Sequence, residues 1–195
     1  MGTKISREFT FLSAIYYEGD FLINNFDISL ILSVETDSIL EQNVAMDRIK
    51  YFINERLENS VFVQETETKI IEKYITAGLK VCTLPEEPYD QIITIVILNK
   101  LNAICEGKLV VTSIHLNSIL SDNVGFIYDM DDIIHLVPYK NGWWVENSNN
   151  ISNIKSSKKE KIVRLVKSND WTSLGLDWKN KENRSEIIFT PDLEK

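Results

Sequence analysis

The pattern of apolar and polar positions divides this chain into recognisable elements. Residues 9–17 (FTFLSAIYY) are dense in aromatic and β-branched side chains, as strands are. Glu18-Gly19-Asp20 supplies turn chemistry, and residues 21–36 (FLINNFDISLILSVET) read as a second strand. Its later part alternates, with Ile28, Leu30 and Leu32 on one face and Ser29, Ile31 and Ser33 on the other. A long, curved antiparallel hairpin is predicted. The period then changes. Ala45, Ile49, Phe52, Ile53 and Leu57 recur at helical spacing, with Asn43 as the expected N-cap and Asp47 complementing the helix dipole. Residues 61–66 fit either a strand or a loop. Residues 67–77 read as a short helix closed by Gly78, with 79–84 extended beyond it.

The stretch from Thr83 to Asp129 is the hub. Pro85 and Pro88 stand at the entry of a helix where missing donors cost nothing, and Glu86, Glu87 and Asp90 place negative charge at its positive end. From Ile92 to Cys105 nearly every face is apolar, so this helix must be covered on more than one side. Glu106-Gly107 is its expected stop, and strands are predicted at 108–120 and 124–129. Residues 133–146 (IIHLVPYKNGWWVE) read as a further hairpin turning at Asn141-Gly142. The polar loop at 147–153 marks the expected boundary between an α+β core domain (1–146) and a basic, Trp-containing appendage (147–195). The order strand-strand, helix-helix, strand-strand predicts an α+β fold: an antiparallel sheet with helices packed on one face, followed by a C-terminal hairpin and tail.

Composition narrows the functional classes. The chain of 195 residues holds two cysteines, Cys82 and Cys105, both in apolar runs, which excludes a disulfide framework and fits a reducing compartment. The opening residues carry charge at Lys4, Arg7 and Glu8 and show no signal-type apolar run, although Ser6 fits the loose myristoylation pattern. The longest apolar run, Ile92 to Leu98, is too short to span a bilayer. A cytoplasmic location without membrane association is expected, or virion and host cytoplasm if the source is viral. The heavy use of Ile, Asn and Lys fits an AT-rich bacterial or phage genome. Residues 1–150 carry 11 basic and 22 acidic side chains, net −11, whereas 151–195 carry 10 and 7, net +3. An acidic body disfavours nonspecific nucleic-acid binding, which needs Lys and Arg on phosphate.

Several short stretches resemble the tunnelling-fold family of 6-pyruvoyl-tetrahydropterin synthase and its carboxy-tetrahydropterin relatives. Asn25-Phe26 resembles the family's Asn-Tyr that follows its His-Gly-His. Val44-Ala45-Met46-Asp47 with Ile49-Lys50 is similar to the start of its first helix, and Pro85 to Leu101 to its Pro-led second helix. The similarity covers about residues 8–129. It implies a zinc held by three histidines and a cysteine nucleophile, and this chain lacks both. The ligand positions fall at Ile15 or Tyr16, Leu22 and Asn24. The family's Asp-His pair falls at Glu58 and Asn59, and its ring-anchoring glutamate near Leu116 or Asn117. The resemblance therefore implies the fold without its chemistry, and no cofactor is expected.

Other candidates are weaker. Asp129, Asp131 and Asp132, with Asp122 nearby, form an oxygen-rich cluster without the glycine and closing glutamate of a calcium loop, so a solvated loop outweighs a metal site. His115, between Ile114 and Leu116, reads as a strand residue rather than a ligand. Trp143 and Trp144 would point to opposite faces of a strand, one for packing and one for a partner, against packing of both beneath the tail. The basic run of Lys155, Lys158, Lys159, Lys161, Arg164 and Lys167 is either a solvated face, a dock for the acidic body or a nucleic-acid contact. Neither a P-loop nor a dinucleotide glycine pattern is present.

Three functional expectations follow. The first is a non-catalytic oligomeric scaffold or protein-interaction module. The second is a purine- or pterin-like small-molecule binder or metal-independent enzyme using Asp27, Glu35, Glu58 and Asn117. The third is a nucleic-acid-associated protein acting through 155–167.

Overall fold

The computed structural model describes residues 3–122, 124–129, 141–153 and 170–179. Two long strands, β1 (Lys4–Tyr17) and β2 (Asp20–Val34), pair antiparallel from Lys4↔Ser33 to Tyr17↔Asp20. The turn between them places Glu18 and Gly19 at φ 50° and 94°, the left-handed pair that matches the twist of a tight hairpin. The first strand starts five residues earlier than its aromatic run, because Lys4 to Glu8 find partners along 29–33 despite their polarity.

The sheet has six strands in the order β4-β3-β1-β2-β5-β6, completed by β3 (Ser60–Gln64), β4 (Lys80–Leu84), β5 (Leu109–Ser118) and β6 (Gly125–Asp129). It is mixed, not antiparallel: β3 runs parallel to both β1 and β4. The element order is correspondingly ββαβαβαββ rather than ββααββ. The extended stretch expected at 79–84 is β4, and 61–66, which fit a strand or a loop, are largely β3; what pattern reading misses is that both are five-residue strands joined parallel, apolar on both faces.

The helices also divide between the faces. Phe62, Cys82 and Leu84 point into the main core with α1 (Ile39–Tyr51) and α3 (Asp90–Cys105). Val61, Val63 and Val81 point the other way and meet Ala14 and Ile71 of α2 (Thr68–Thr76). The expected single helical layer is thus corrected by α2, whose stripe of Ile70, Ile71 and Tyr74 closes the second face only over the β3–β4 end.

The stripe of Ala45, Ile49, Phe52, Ile53 and Leu57 is fully buried, but it runs off α1 into a π-helical turn, Phe52–Leu57. Ser38, not Asn43, caps α1: its hydroxyl accepts from the Glu41 amide. Ile39 and Leu40 in that first turn are exposed, which hides the true start from a search for apolar periodicity. Helix α3 ends at Glu106 and Gly107, both left-handed at φ 48° and 75°.

The all-round apolarity of α3 is answered by three neighbours: the sheet, α1 and a C-terminal layer. In that layer Trp143–Val145 is a 3₁₀ turn, not the strand of a hairpin, so the two indoles do not project to opposite faces of a sheet. Both are 1% exposed. Gly142 is required here because the Trp144 ring lies 2.4 Å from where its Cβ would stand. Residues 133–140 of the expected hairpin lie outside the described residues. Ile151, Trp171 and Leu176 join the same core cluster, so the described parts of 147–179 pack onto the body.

Two buried cations tie this layer down. Lys100 donates to the carbonyls of Trp143 and Glu146, each at 2.8 Å. Arg48 donates to the Leu176 and Ile104 carbonyls and to Glu106, while its guanidinium lies 3.8 Å from the Trp178 ring centre and 4.8 Å from that of Trp171.

Candidate functional site

Beyond the hairpin end, where Ala14, Tyr16 and Phe21 meet α2, no described element covers the face of β1, β2, β5 and β6 opposite α1 and α3. Cross-strand register sorts the residues of this bare face into rows. Thr10 stands opposite Asp27, Asp27 opposite Asn117, and Asn117 opposite Gly125, one row across four strands. The next row is Glu8, Ser29, His115 and Ile127, and the one beyond it Ser6, Ile31, Ser113 and Asp129.

The register depends on a bulge. Ile31 pairs with Ser113 and Leu32 with Val111, so Thr112 is extra and its hydroxyl donates to the Ile31 carbonyl. The bulge lets Val111 and Ile114 both face the core while Ser113, His115 and Asn117 face out. Gly125 then matters for its missing side chain. A Cβ there would lie 2.2 Å from both Asn117 Oδ1 and His115 Nε2, so these two side chains converge over the glycine backbone. Thr10 donates to Asp27 at 2.7 Å, leaving the second carboxylate oxygen and the amide and imidazole edges as hydrogen-bonding capacity on one small patch.

The sequence-derived candidates are only partly brought together. Asp27 and Asn117 are direct cross-strand neighbours. Glu58 lies at the opposite edge of β1, where it accepts the Leu12 amide at 2.8 Å, and Glu35 accepts from Ser33 beyond the end of β2. Asp129 lies on β6 in the third row, and Asp122 occupies a left-handed turn position at φ 52°. Asp131, Asp132, Lys155, Lys158, Lys159, Lys161, Arg164, Lys167 and His135 lie outside the described residues. Among the described residues, no three His, Cys, Asp or Glu side chains are grouped so as to hold a metal ion. His115 stands in β5, as expected of a strand residue. A lone histidine in a strand gives no signal until register sets it beside Asn117 and above a glycine.

The positions aligned with a three-histidine zinc site are themselves neighbours. Ile15 pairs with Leu22, and Ser13 with Asn24, on the core-facing side of the hairpin. Asn24 is 1% exposed, its Oδ1 accepts the Leu120 amide, and its Nδ2 has no partner among the described residues. With aliphatic Ile15 and Leu22 beside it, this donor set does not fit a zinc ion, which takes nitrogen, thiolate or carboxylate ligands.

The strongly perturbed ionisable groups lie elsewhere, inside the core. Burial pushes the Lys100 ammonium down to about 7, opposed by the Glu146 carboxylate. Burial likewise lowers Arg48, with Glu106 opposing. Burial pushes the Cys105 thiol up to about 12 and Cys82 well above its ordinary value, so both behave as inert apolar groups. These groups are buried between layers of the described residues.

No family model matches the sequence, and no curated protein does. Among solved structures, an uncharacterized protein from Wolinella succinogenes is similar, with a TM-score of 0.48 and 11% identity over 67% of this chain and 99% of that one. A catalytic-residue mutant of 6-pyruvoyltetrahydropterin synthase from Plasmodium vivax gives a TM-score of 0.41, also at 11% identity over 67% of this chain and 99% of that one. No described helix is long and apolar enough to cross a membrane.

Proposed function

We propose that this chain is a non-catalytic subunit that self-associates, using a tunnelling-type sheet as a scaffold. The bare face of β1, β2, β5 and β6 carries the reading. A sheet face may be solvated when its side chains are polar. Here Leu12, Ile31 and Ile127 stand 42%, 42% and 62% exposed on it, among hydroxyl and amide groups able to pair across a contact. A second copy laid against this face would bury those side chains. Light scattering at micromolar concentration should give a multiple of the 22.5 kDa chain mass. Ile31→Glu combined with Ile127→Lys should lower that mass while the far-UV spectrum is unchanged. A native chain that stays monomeric overturns the reading.

A second reading is favoured by the Thr10-Asp27-Asn117 row above Gly125: a planar, nitrogen-bearing ligand of purine or pterin type held by its hydrogen-bonding edge. A thermal-shift series with free purines, pterins and nucleotides should raise the melting temperature by a few degrees, as about 1–2 kcal/mol of binding does. The shift should vanish in Asp27→Ala. Silence across the series removes this reading.

A further inference from the structure

The end of the sheet around the β1–β2 turn has a different character from the bare face. The β2–β5 ladder stops at Phe26↔Ser118. Beyond it, the Ile119 amide donates to the Asn25 carbonyl and the Leu120 amide to the Asn24 side chain, and the chain then turns away through residues 119–122. Residues 20–23 therefore have β1 on one side and no strand on the other among the described residues. The direction of their peptide groups follows from the ladder. Leu12, opposite Asn25, turns its backbone away from β2: its amide donates to Glu58 and its carbonyl accepts from Asn59. Asn25 in turn faces the β5 side, and by the alternation of an antiparallel pair Ile23 and Phe21 do the same. Their N–H and C=O groups form a short open edge.

That edge is set in an apolar surface. Ile23 is 67% exposed, Ile119 69%, Val124 55%, and Phe21, Leu22 and Leu120 are each more than a third exposed. Phe21 and Ile23 project to the α2 side of the strand and Leu22 to the other, so the edge carries exposed large apolar side chains on both sides, which marks a contact site rather than ordinary surface. On the Phe21 side α2 brings both signs, with Lys69, Glu72 and Lys73 on the helix whose Tyr74 meets the Phe21 ring, whereas on the Leu22 side the flanking charge is acidic. The stretches 17–25, 85–91 and 117–124 contain Glu18, Asp20, Glu86, Glu87, Asp90 and Asp122 and not one Lys or Arg. Asp90 accepts from Ser118, and Glu87 accepts from Tyr89, which also contacts Tyr17. A second copy docked edge to edge would bring like charge against like.

We propose that this open edge of β2 accepts an extended polypeptide segment in which apolar side chains alternate with lysine or arginine. The segment adds as a strand beside residues 20–23, its backbone pairing with Phe21 and Ile23. Its apolar side chains then lie on Ile23, Ile119 and Val124, and its cations face the acidic rim. The proposal is independent of self-association through the bare face.

The test is fluorescence anisotropy with labelled synthetic peptides of alternating Lys-Val and of alternating Glu-Val. The Lys-Val peptide should bind the full chain with a Kd on the order of 10 μM, tightening at low salt. The Glu-Val peptide should bind at least about tenfold more weakly, by like-charge repulsion. Ile23→Pro removes an N–H that β1 does not use, so the hairpin is retained while strand addition is blocked, and affinity should fall about tenfold. Asp20→Lys, an exposed change that leaves the backbone intact, should weaken binding severalfold by reversing one rim charge. Equal binding of the two peptides, no binding of either, or native affinity in a folded Ile23→Pro chain overturns the proposal. The oligomeric mass of Ile23→Pro should equal that of the native chain, which separates this outcome from the self-association reading.

Discussion

Replacing Arg48 by alanine should remove about 4 kcal/mol of stability, the range seen when one partner of a buried, hydrogen-bonded charge is deleted. Arg48 is 2% exposed and does three jobs at once. Its Nη1 donates at 2.9 Å to the Ile104 carbonyl, one of the groups that the last turn of α3 leaves without a helical partner. The same nitrogen meets Glu106 at 2.8 Å, just past that helix, so a cation lies at the negative end of the dipole. Nε donates to the Leu176 carbonyl at 2.8 Å, and the guanidinium lies over the rings of Trp171 and Trp178. Alanine would leave two carbonyls buried without donors and an empty space beside two indoles. Arg48→Lys should recover only part of the loss, because an ammonium cannot stack flat while serving both sides. Urea unfolding followed by tryptophan fluorescence measures both variants. A loss below about 1 kcal/mol for Arg48→Ala would show that the space collapses and its carbonyls find other donors.

The second large effect is on pH. Lys100 is fully buried, and its folded-state value of about 7 lies well below the ordinary lysine value near 10.4. Below pH 7 both the folded and the unfolded chain carry this proton, so the cost of burying the charge is present in full. Above pH 7 the folded chain releases the proton and the unfolded chain keeps it, so the unfolded state binds more protons and stability rises with pH. Between pH 7 and 8.5 this amounts to about 2 kcal/mol for a single group. Above that window the sign is contested. Cys82 and Cys105 are held protonated by burial, and their ionisation in the unfolded chain then favours unfolding. Denaturant midpoints at pH 6.5, 7.5 and 8.5 should therefore climb in the native chain and stay level in Lys100→Met, which keeps the stem and discards the proton. A native chain with no slope over this window would mean that the carbonyls of Trp143 and Glu146 hold the ammonium charged throughout.

The elements that were legible in the sequence are those whose burial is periodic. The β1–β2 alternation and the stripe from Ala45 to Leu57 are recovered because each has one wet side. The apolar run of α3 announced that it needed several covers without saying which. What covers it is illegible: NSNNISN looks like a solvated linker, yet Arg56 donates to the Asn149 carbonyl and Asn153 accepts the Trp143 amide. Those polar residues satisfy a backbone packed onto the body, and nothing in their composition distinguishes that from a loop in water. β4 was legible as an extended stretch, but β3 was not separable from a loop, and both are too short and too uniformly apolar to show a period that would reveal their parallel pairing. The candidate site was half legible. Asp27 and Asn117 are visible as polar residues in strands, but their meeting depends on the register set by one extra residue at Thr112. The convergence of His115 on Asn117 depends on an atom that Gly125 lacks.

The link from Arg48 to Leu176 joins residues 128 apart in sequence. During synthesis the sheet and its helices are made first, while the outer side of α3 and the seat of Arg48 stay open until residues 143–178 leave the ribosome. Through that interval a nascent chain shows the apolar outer side of α3, Lys100 without its two carbonyl acceptors and Arg48 without that of Leu176. Such a chain is a natural client for chaperones, and a chain cut just before Trp171 should be insoluble rather than merely shortened.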